Sequence, residues 1–577
     1  MRVARVKGGR RMGAPNQKIP PISPLTRGGN AHGRRSGHFN HHAAPKPKVG
    51  ALRRRWFWLL VQNQKSFGDL GRLLRQRTIL ATHPWAARKH RINQRFPRPP
   101  PRGARGQKIE VGDRSYKRGQ TGYHPLMNRR PRPRRKTRSS APPPLVEVDI
   151  HDLASDGRGV GRLPGGKALF VAGALPGDRV RVRIERQGKS FDAGVAVARL
   201  DDGPGRVPSP CAISEACGGC ALIAWNPALQ HAWKTERIGR ALIHIARIES
   251  PPLEPLLAGE PLGYRTRADV RLRLHDGVAE VGFLASGTHR MVPLPPDGCA
   301  VLVPALNRLL DPLRELLPQL EGGIRLPKVR IESDGAGRCR AVFKTLEPLS
   351  RVDQTTLIAW GEGLNVGIAL SSGEVFRPVA FADTVEGCVL SPPPGAFRQA
   401  NQGLNPELVR LALDGLDLKS GDRVLEAFAG SGNLTLPLIA RLARLGGGAV
   451  TAVDWVAPAV AQLAEAAQGL GEGVGLSAQP CDLEDGAAVA ALWGQGPWDA
   501  LLLDPPREGA KTLLTHLKDR PDRPGRVVMI SCHPESMARD AAMLIEAGYR
   551  IDKVVPVDMF PMTPHVESVS VWQRVNP

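Results

Sequence analysis

The chain contains no run of about 18 consecutive apolar residues, the length that a helix needs to cross a bilayer. Its most apolar early stretch, residues 56–61, is too short for that purpose, and no clear small-residue cleavage site accompanies it, so a secretory signal is not expected either. These absences predict a cytoplasmic protein without a membrane partner. The length of 577 residues predicts several domains, at roughly one per 150 residues.

Acidic residues are nearly absent from the first quarter of the chain. Residues 1–140 contain 36 Lys and Arg but 3 Asp and Glu, whereas the rest of the chain contains 45 and 51. Because this basic segment is rich in Pro and Gly and has no apolar periodicity, we predict a disordered extension over residues 1–143. Two interpretations stay open: a basic arm that binds RNA phosphates, or an over-extended reading frame whose true start lies at Met127.

The 8 cysteines do not suggest a disulfide framework. Cys211, Cys217 and Cys220 lie in one loop, and such a cluster indicates a metal site in a reducing compartment. Cys299 is the best candidate for a fourth ligand because it lies in an Asp-Gly-Cys turn. Four thiolates suit either zinc or an iron–sulfur cluster, and their spacing does not choose between the two.

Short alternating strands dominate residues 144–203. Residues 145–150 and 179–184 alternate apolar and polar side chains, and Gly- and Pro-containing turns lie between them. This pattern predicts a small all-β barrel. The segment resembles the TRAM domain, an RNA-binding barrel similar to the OB fold, and the resemblance implies contact with RNA.

Residues 204–395, which contain the clustered cysteines, mix two kinds of pattern. Residues 270–274 and 329–332 alternate as strands do, whereas residues 302–317 have helical spacing. We therefore predict a central α+β domain. The Pro-Pro-Pro-Gly sequence at 392–395 marks its end.

Residues 396–577 alternate apolar strand patterns with helical ones, which predicts a doubly wound parallel α/β sheet. The apolar runs end just before four residues of chemical interest: Gly430, Asp454, Asp504 and Cys532. In such sheets ligands bind beyond the carboxyl ends of the strands, which all meet at one edge. The sequence therefore predicts that these four residues share a ligand-binding edge.

The segment at residues 426–432 contains a strand end, a glycine turn and a helix start. It lacks the third glycine of the dinucleotide fingerprint, and no Gly-Lys-Ser/Thr of a P-loop follows. Asp454, at the end of the next predicted strand, could accept hydrogen bonds from two ribose hydroxyls. Together these features favour S-adenosylmethionine over NAD. Asp482 either contacts the adenine edge or is a solvated loop aspartate.

The Asp-Pro-Pro-Arg sequence at Asp504 is ambiguous by itself. Asn/Asp-Pro-Pro-aromatic sequences occur in methyltransferases that act on exocyclic amines, where the aromatic ring stacks on the base. Arg507 replaces that aromatic residue here. The replacement argues against amine chemistry and favours methylation of carbon with a separate nucleophile.

Cys532 follows a buried-strand pattern, and Glu567 lies on or near the last predicted strand. C5 of uracil is a poor nucleophile, but addition of a thiolate to C6 enables C5 to attack a methyl sulfonium. A base must then remove the C5 proton so that the thiol can leave, so the reaction needs one cysteine and one base. Cys532 and Glu567 are the candidates; a buried structural cysteine and a surface glutamate are the alternatives.

From residue 145 to residue 577, these motifs resemble in order the RNA uracil-5-methyltransferase family, in its iron–sulfur branch that modifies 23S ribosomal RNA. The resemblance implies a TRAM domain, a central domain with a [4Fe–4S] cluster and a class I S-adenosylmethionine-dependent, Rossmann-like methyltransferase domain. It implies that Cys532 is the nucleophile, Glu567 the base and Asp504 the active-site acid. The residues implied to bind S-adenosylmethionine are Gln399, Phe428, Gly430, Gly432, Asn433, Asp454, Asp482 and Asp504. The implied cluster ligands are Cys211, Cys217, Cys220 and Cys299.

The chain departs from the family pattern at several positions. Glu426 stands where the family usually has Asp, and Asp482 where Asn is frequent. His533 stands where Asn often precedes the Pro, and Arg267 replaces a Lys. These differences concern the details of cofactor contact and leave the implied reaction unchanged.

We therefore expect methylation of C5 of a uridine in structured RNA, with 23S ribosomal RNA favoured and transfer RNA left open. The target base must leave its stack, so a hairpin or junction is the expected target. We also expect a monomer. Two other hypotheses remain: an exocyclic-amine methyltransferase that uses the Asp504 sequence, and a non-catalytic RNA-binding protein that carries a cluster.

Overall fold

The computed structural model describes residues 145–321 and 326–575. The predicted disordered extension, residues 1–143, lies outside these ranges. Within them, no helix combines the length and apolar character that crossing a membrane requires. The described residues form three large β-sheets and one two-stranded sheet, with helices packed against the second and third large sheets.

The strands, in chain order, are β1 (Leu145–Asp149), β2 (Asp152–Leu153), β3 (Gly159–Arg162), β4 (Ala168–Ala172), β5 (Arg179–Gln187), β6 (Phe191–Asp201), β7 (Leu257–Ala258), β8 (Arg267–His275), β9 (Val278–Leu284), β10 (Met291–Pro293), β11 (Lys328–Ser333), β12 (Cys339–Lys344), β13 (Val366–Leu370), β14 (Val375–Arg377), β15 (Asp383–Val385), β16 (Cys388–Leu390), β17 (Arg423–Ala427), β18 (Gly448–Asp454), β19 (Val474–Pro480), β20 (Ala500–Leu503), β21 (Arg526–Ser531), β22 (Tyr549–Asp558) and β23 (Glu567–Arg574). The helices are α1 (Pro227–His244), α2 (Pro304–Asn307), α3 (Leu310–Leu316), α4 (Arg351–Leu364), α5 (Asn405–Gly415), α6 (Thr435–Leu445), α7 (Ala457–Ala466), α8 (Gly486–Trp493), α9 (Lys511–Lys518) and α10 (Pro534–Glu546), and a 3₁₀ turn covers Leu317–Gln319.

The first sheet has the strand order β1-β5-β6-β4-β3-β2. Its strands pair antiparallel except β4 and β6, which run parallel. In β5 the apolar residues Val180, Val182 and Ile184 are buried and the residues between them are exposed, because side chains alternate between the two faces of a strand. The all-β module predicted for this part of the chain is therefore present.

The second sheet has seven strands in the order β10-β9-β8-β11-β12-β13-β14. It packs against α2, α3 and the 3₁₀ turn, and β12 and β13 form its parallel pair. Residues 302–317, predicted as one helical stretch, are divided between α2 and α3. Pro312 explains the division because it has no N–H to donate to the carbonyl of Arg308, so a continuous helix would lack that bond.

The third sheet has eight strands in the order β19-β18-β17-β20-β21-β23-β22-β7. The strands β17 to β21 pair parallel, whereas β23 pairs antiparallel with both β21 and β22. Leu501 and Leu503 belong to one apolar core, whereas Ala500 and Leu502 belong to another, so each face of the sheet is covered. This arrangement confirms the predicted doubly wound α/β fold.

Helix α1 joins the middle of the chain to the third sheet. It begins where the Asn226 side chain accepts a hydrogen bond from the Ala228 N–H, with Pro227 in the first turn. Its residues Ile238 and Leu242 lie in the core of the third sheet, and the nearby β7 pairs with β22. Residues assigned from the sequence to a central domain therefore pack against the C-terminal sheet, and the boundary at residue 395 stays a prediction.

Candidate active site

The five parallel strands bring their carboxyl ends to one edge of the third sheet. The glycine turn follows β17, Asp454 ends β18, Asp504 follows β20, and Cys532 follows β21. Because β23 runs antiparallel to β21, its first residue, Glu567, lies at this same edge. The sequence prediction of a shared edge is therefore correct, and the sheet adds the carboxyl group of Glu567.

The Cys532 thiol is half-buried beside two carboxyl groups. Burial raises its pKa to about 11, the negative charges of Glu567 and Asp504 add to the rise, and the Arg507 guanidinium opposes it. The thiol is therefore neutral at pH 7 in this arrangement. It becomes a nucleophile only when it loses its proton.

Glu567 is the best candidate for a buried general base at this edge. It is 5% exposed, and its Oε2 has no hydrogen-bond partner among the described residues. Burial raises its pKa to about 8, and the charge of Asp504 contributes. Burial also raises the pKa of Asp504 to about 7. Carboxyl groups whose pKa lies near neutrality exchange protons readily at physiological pH, as general acid–base catalysis requires.

The turn after β17 has the backbone shape of a cofactor cradle. Phe428 has φ +67° and Gly430 has φ +56°. A positive φ is rare for phenylalanine, and such strain is concentrated at functional sites. A Cβ on Gly430 would meet no atom within 4 Å, so this glycine faces open space. Asp454 fixes the turn, because its Oδ2 accepts a 2.9 Å hydrogen bond from the Gly430 N–H.

Glu426 lies at the end of β17 and is 1% exposed. Neither of its carboxyl oxygens makes a hydrogen bond of ordinary geometry among the described residues. Burial raises its pKa to about 8, and the nearby Thr435 side chain opposes the rise. Buried polar groups without partners are rare in proteins. A positively charged ligand would satisfy this carboxyl, and S-adenosylmethionine carries such charge on its amino and sulfonium groups. The cradle and this carboxyl therefore fit that cofactor.

The other residues predicted to bind the cofactor have varied surroundings. The side-chain amides of Asn433 and Asn405 donate hydrogen bonds to each other at 2.8 and 3.0 Å. Asp482 follows β19, and its Oδ1 accepts the Glu484 N–H at 3.0 Å. Gln399 is buried, 7% exposed, in the segment before α5. Their contacts with a cofactor, like those of Gly432, stay predictions.

The four cysteines predicted to bind a metal line one cavity of about 250 Å³. Backbone N–H groups donate to the sulfurs of Cys217 and Cys299, and burial raises the pKa of Cys220 to about 12. Across residues 145–321 and 326–575, no group of three or more His, Cys, Asp or Glu side chains has the arrangement of a metal site. Cys211, Cys217, Cys220 and Cys299 thus share a cavity without forming a ligand set.

Positive side chains lie near His565, and most of them belong to no motif that the sequence reveals. An Arg507 guanidinium nitrogen lies 3.3 Å from Nδ1 of His565. Burial lowers the pKa of His565 to about 4, and the charges of Arg507, Arg237 and Lys234 contribute. Arg237 and Lys234 lie on α1, far upstream in the chain. Arg507 is exposed and suits an RNA phosphate, whereas Lys234 is fully buried against Asp558 and Arg237 pairs with Glu535.

Comparison with known protein families gives two matches. The family model of the TRAM domain matches residues 145–193. The model described as tRNA (Uracil-5-)-methyltransferase matches residues 496–575, which include β20 to β23 and the residues Asp504, Cys532 and Glu567. The two matched segments therefore cover most of the first sheet and four strands of the third.

Two curated relatives cover most of the chain, and both are named 23S rRNA (uracil(1939)-C(5))-methyltransferase RlmD. The protein of Chromohalobacter salexigens is 36% identical over 448 residues, which are 74% of this chain and 90% of the relative. The protein of Halomonas elongata is 35% identical over 480 residues, which are 80% of this chain and 96% of the relative.

A solved structure shares the fold. It is the Pyrococcus abyssi tRNA (uracil-54, C5)-methyltransferase in complex with S-adenosyl-L-homocysteine. The superposition has a TM-score of 0.55 at 22% sequence identity, and it covers 74% of this chain and 100% of the other.

Proposed function

Because this chain belongs to the family of 23S rRNA (uracil-C5)-methyltransferases, we propose that it transfers a methyl group from S-adenosylmethionine to C5 of a uridine in 23S ribosomal RNA. The observation that carries the proposal is the grouping of Cys532, Glu567 and Asp504 at the sheet edge that also holds the glycine turn. Nucleophile, base and cofactor cradle then lie in one place.

The first step we propose is addition of the Cys532 sulfur to C6 of the uracil ring, as the thiol proton passes to solvent. The new C6–S bond moves the electron pair of the C5–C6 double bond toward C5, which becomes nucleophilic. Arg507, whose charge lowers the pKa of the thiol, favours the thiolate that this step needs. S-adenosylmethionine, when bound in the cradle, supplies the electrophilic methyl group that C5 takes up.

The second step is removal of the C5 proton by Glu567. The electron pair of the C5–H bond restores the C5–C6 double bond, the C6–S bond breaks, and the Cys532 sulfur leaves as a thiolate. A base buried without a hydrogen-bond partner on Oε2 has a free acceptor for this proton. Asp504 contributes through its charge, which raises the pKa of Glu567 and so makes its carboxylate a stronger base.

The RNA would be held by more than the active site. We assign residues 144–203 to an RNA-binding domain, 204–395 to a central domain and 396–577 to the methyltransferase domain. The exposed arginines of β5 and the exposed Arg507 offer phosphate contacts on the first and last of these. We propose that the enzyme acts in the cytoplasm, where ribosomal RNA is available. We also propose that it is a monomer.

Substitution of the two catalytic residues tests the function. We expect Cys532→Ala to abolish transfer of labelled methyl groups to RNA, because no bond to C6 can form. We expect Glu567→Ala to accumulate a covalent protein–RNA species, since addition and methyl transfer proceed while elimination stalls. Denaturing gels with labelled RNA detect that species as a slower band. Methyl transfer that survives in Cys532→Ala would instead favour chemistry on an exocyclic amine.

Transfer RNA is the second candidate substrate, and the family model described as a tRNA methyltransferase favours it. Mapping of 5-methyluridine in both RNA classes of a deletion strain separates the two. We expect the loss of one or more sites in 23S ribosomal RNA and unchanged transfer RNA. Loss confined to transfer RNA would replace the proposed substrate.

We also propose that Cys211, Cys217, Cys220 and Cys299 hold a [4Fe–4S] cluster. The cavity they share and the N–H groups directed at two of the sulfurs support a four-cysteine metal site, and the resemblance to the iron–sulfur branch of the family favours a cluster over zinc. A bound cluster would fasten Cys299 to the loop of the other three cysteines and so order the central region.

Anaerobically purified protein tests the cluster. We expect about four iron and four sulfide per chain with broad visible absorption, and we expect Cys299→Ser to lose most of both. Cys388→Ser is the matched control, because Cys388 is buried away from the cavity. Protein that contains zinc and no sulfide would contradict the assignment.

A further inference from the structure

The loop that precedes Glu567 is held by residues from another part of the chain. This base loop, residues 559–566, connects β22 to β23. Most of its residues are buried although it contains no helix or strand, and Met562 has φ +64°. A methionine in this conformation needs surrounding contacts that over-determine it. Those contacts come from α1, from Tyr264 and from the segment after the clustered cysteines.

Lys234 is the first of these contacts. Its side chain is 0% exposed, and its Nζ donates to the Phe560 carbonyl at 3.2 Å and to Asp558 Oδ1 at 2.6 Å. A fully buried lysine is rare and requires paired charge. Lys234 therefore ties α1 to the end of β22 and to the start of the base loop at once.

Gln230 lies one helical turn before Lys234 and is 1% exposed. Its Oε1 accepts the Met562 N–H at 3.2 Å, while its Nε2 donates to the carbonyls of Leu222 and Trp225. The Leu222 N–H donates in turn to the Met562 carbonyl at 3.0 Å. Both backbone groups of the strained methionine are thus satisfied from outside the loop.

Two more hydrogen bonds complete the set. The Tyr264 hydroxyl donates to the Pro561 carbonyl at 3.0 Å. Arg237, one turn after Lys234, donates to the Pro564 carbonyl at 3.1 Å and to Glu535 at 2.9 Å. The carbonyls of residues 560, 561, 562 and 564 therefore all accept hydrogen bonds from residues between 222 and 264.

Most of these contacts are made to the base loop, and strand pairing fixes the position of β23 in the sheet. Glu567 is paired through its backbone with Val557, which sets its place along β23. The base loop sets how its carboxyl enters the site, because the chain reaches Glu567 through Pro564, His565 and Val566. A displacement of about 1 Å in a catalytic group can slow a reaction on the order of a hundredfold.

We propose that Gln230, Lys234 and Tyr264 are positioning residues for proton removal. They hold the base loop in place, and the base loop in turn sets the position of the Glu567 carboxyl. The inference rests on the proposed function and deepens it. Weakening the contacts slows the step in which the C5 proton passes to Glu567, the C5–C6 double bond re-forms and the C6–S bond breaks. The earlier bond between the Cys532 sulfur and C6 forms as before.

Two RNA substrates separate the steps. RNA with uridine at the target must lose its C5 proton to be released. RNA with 5-fluorouridine there has no such proton, so the covalent species accumulates without help from a base. Trapping on fluorinated RNA therefore measures addition and methyl transfer, and turnover on ordinary RNA also measures proton removal.

Tyr264→Phe is the test variant, and Tyr549→Phe is its matched control. Both tyrosines are buried and donate one hydrogen bond to a proline carbonyl, but Tyr549 donates to Pro524, far from the base loop. We expect Tyr264→Phe to trap fluorinated RNA within about twofold of the wild-type rate and to turn over ordinary RNA about fivefold more slowly, with a visible adduct. We expect Tyr549→Phe to match the wild type in both assays.

A double variant, Lys234→Met with Asp558→Asn, provides a second test without leaving a lone buried charge. It should show the same separation more strongly. Equal slowing of trapping and turnover in the two test variants, or no slowing in either, overturns the inference while the proposed function stands. If the double variant does not fold, as judged by thermal melting, Tyr264→Phe decides. Wild-type protein that fails to trap fluorinated RNA overturns the proposed function itself, and the inference with it.

Discussion

The Cys532 thiol and the Glu567 carboxyl lie close together where burial disfavours negative charge, so the protonation state of each affects the other. Each raised pKa has burial as its main cause, and each negative charge that forms raises the pKa of its neighbours. A pair coupled in this way holds one negative charge more easily than two.

The pH dependence of the reaction follows from these shifts. Because the pKa of Glu567 is raised to about 8, its carboxyl is mostly protonated below that pH and cannot accept a proton. We expect the rate at which the covalent protein–RNA species breaks down to rise about tenfold per pH unit below pH 8 and to level near it. Glu567→Gln should remove this rise from what activity remains, and Glu546→Gln, an exposed glutamate, should preserve it. A profile already flat from pH 6 to 8 would contradict the raised pKa.

At the scale of helices and strands, the sequence predicts what depends on local periodicity. The strands that lead to Asp454, Asp504 and Cys532 were each predicted within about one or two residues of their ends, because an apolar run between polar turns can be recognised by itself. The contacts of the base loop were not predicted. Gln230 and Lys234 appear in the sequence as ordinary polar residues of a helix, and their burial depends on a loop more than 300 residues later.

Strand β5 is the element where RNA contact can be measured. Its exposed Arg179, Arg181 and Arg183 lie on one face and share the neighbouring carboxylates of Glu147 and Glu185. Replacing the three arginines with Gln should weaken RNA binding and make it less dependent on salt. The slope of log affinity against log salt should fall by about 0.7–0.9 for each phosphate that the variant no longer neutralises.

Two controls sharpen the β5 experiment. Glu147→Gln should strengthen binding, because it releases Arg179 and Arg181 from their ion pairs. Arg410→Gln on α5 should leave the salt slope unchanged. Arg410 is also exposed and ion-paired, with Glu407, but it lies on a helix outside the first sheet. An unchanged slope in the triple variant would exclude β5 from the RNA interface.

For the whole molecule, α1 makes the stability of the C-terminal sheet depend on residues from the middle of the chain. Leu242 is 0% exposed in the core of that sheet, whereas the adjacent Ile243 is 39% exposed. We expect Leu242→Ala to lower the free energy of unfolding by about 2–5 kcal/mol and Ile243→Ala by less than about 0.5 kcal/mol. Denaturant unfolding with S-adenosylhomocysteine binding as the second probe measures both.

A Leu242 variant as stable as the Ile243 variant would show that α1 docks weakly on the sheet.

The family and the doubly wound fold were predicted from the sequence, since motif order and strand period suffice for both. The docking of α1 on the third sheet could not be predicted from the sequence. The pattern of an amphipathic helix shows which of its faces is buried but not which sheet covers that face.

The reversed direction of β23 has a practical consequence. Since this strand begins at the catalytic edge, the seven steps from Glu567 to Arg574 carry the chain about 24 Å toward the opposite edge of the sheet. A dye or affinity handle attached beyond Arg574 therefore sits away from incoming RNA, which makes that end the natural anchor for single-molecule recording of methylation.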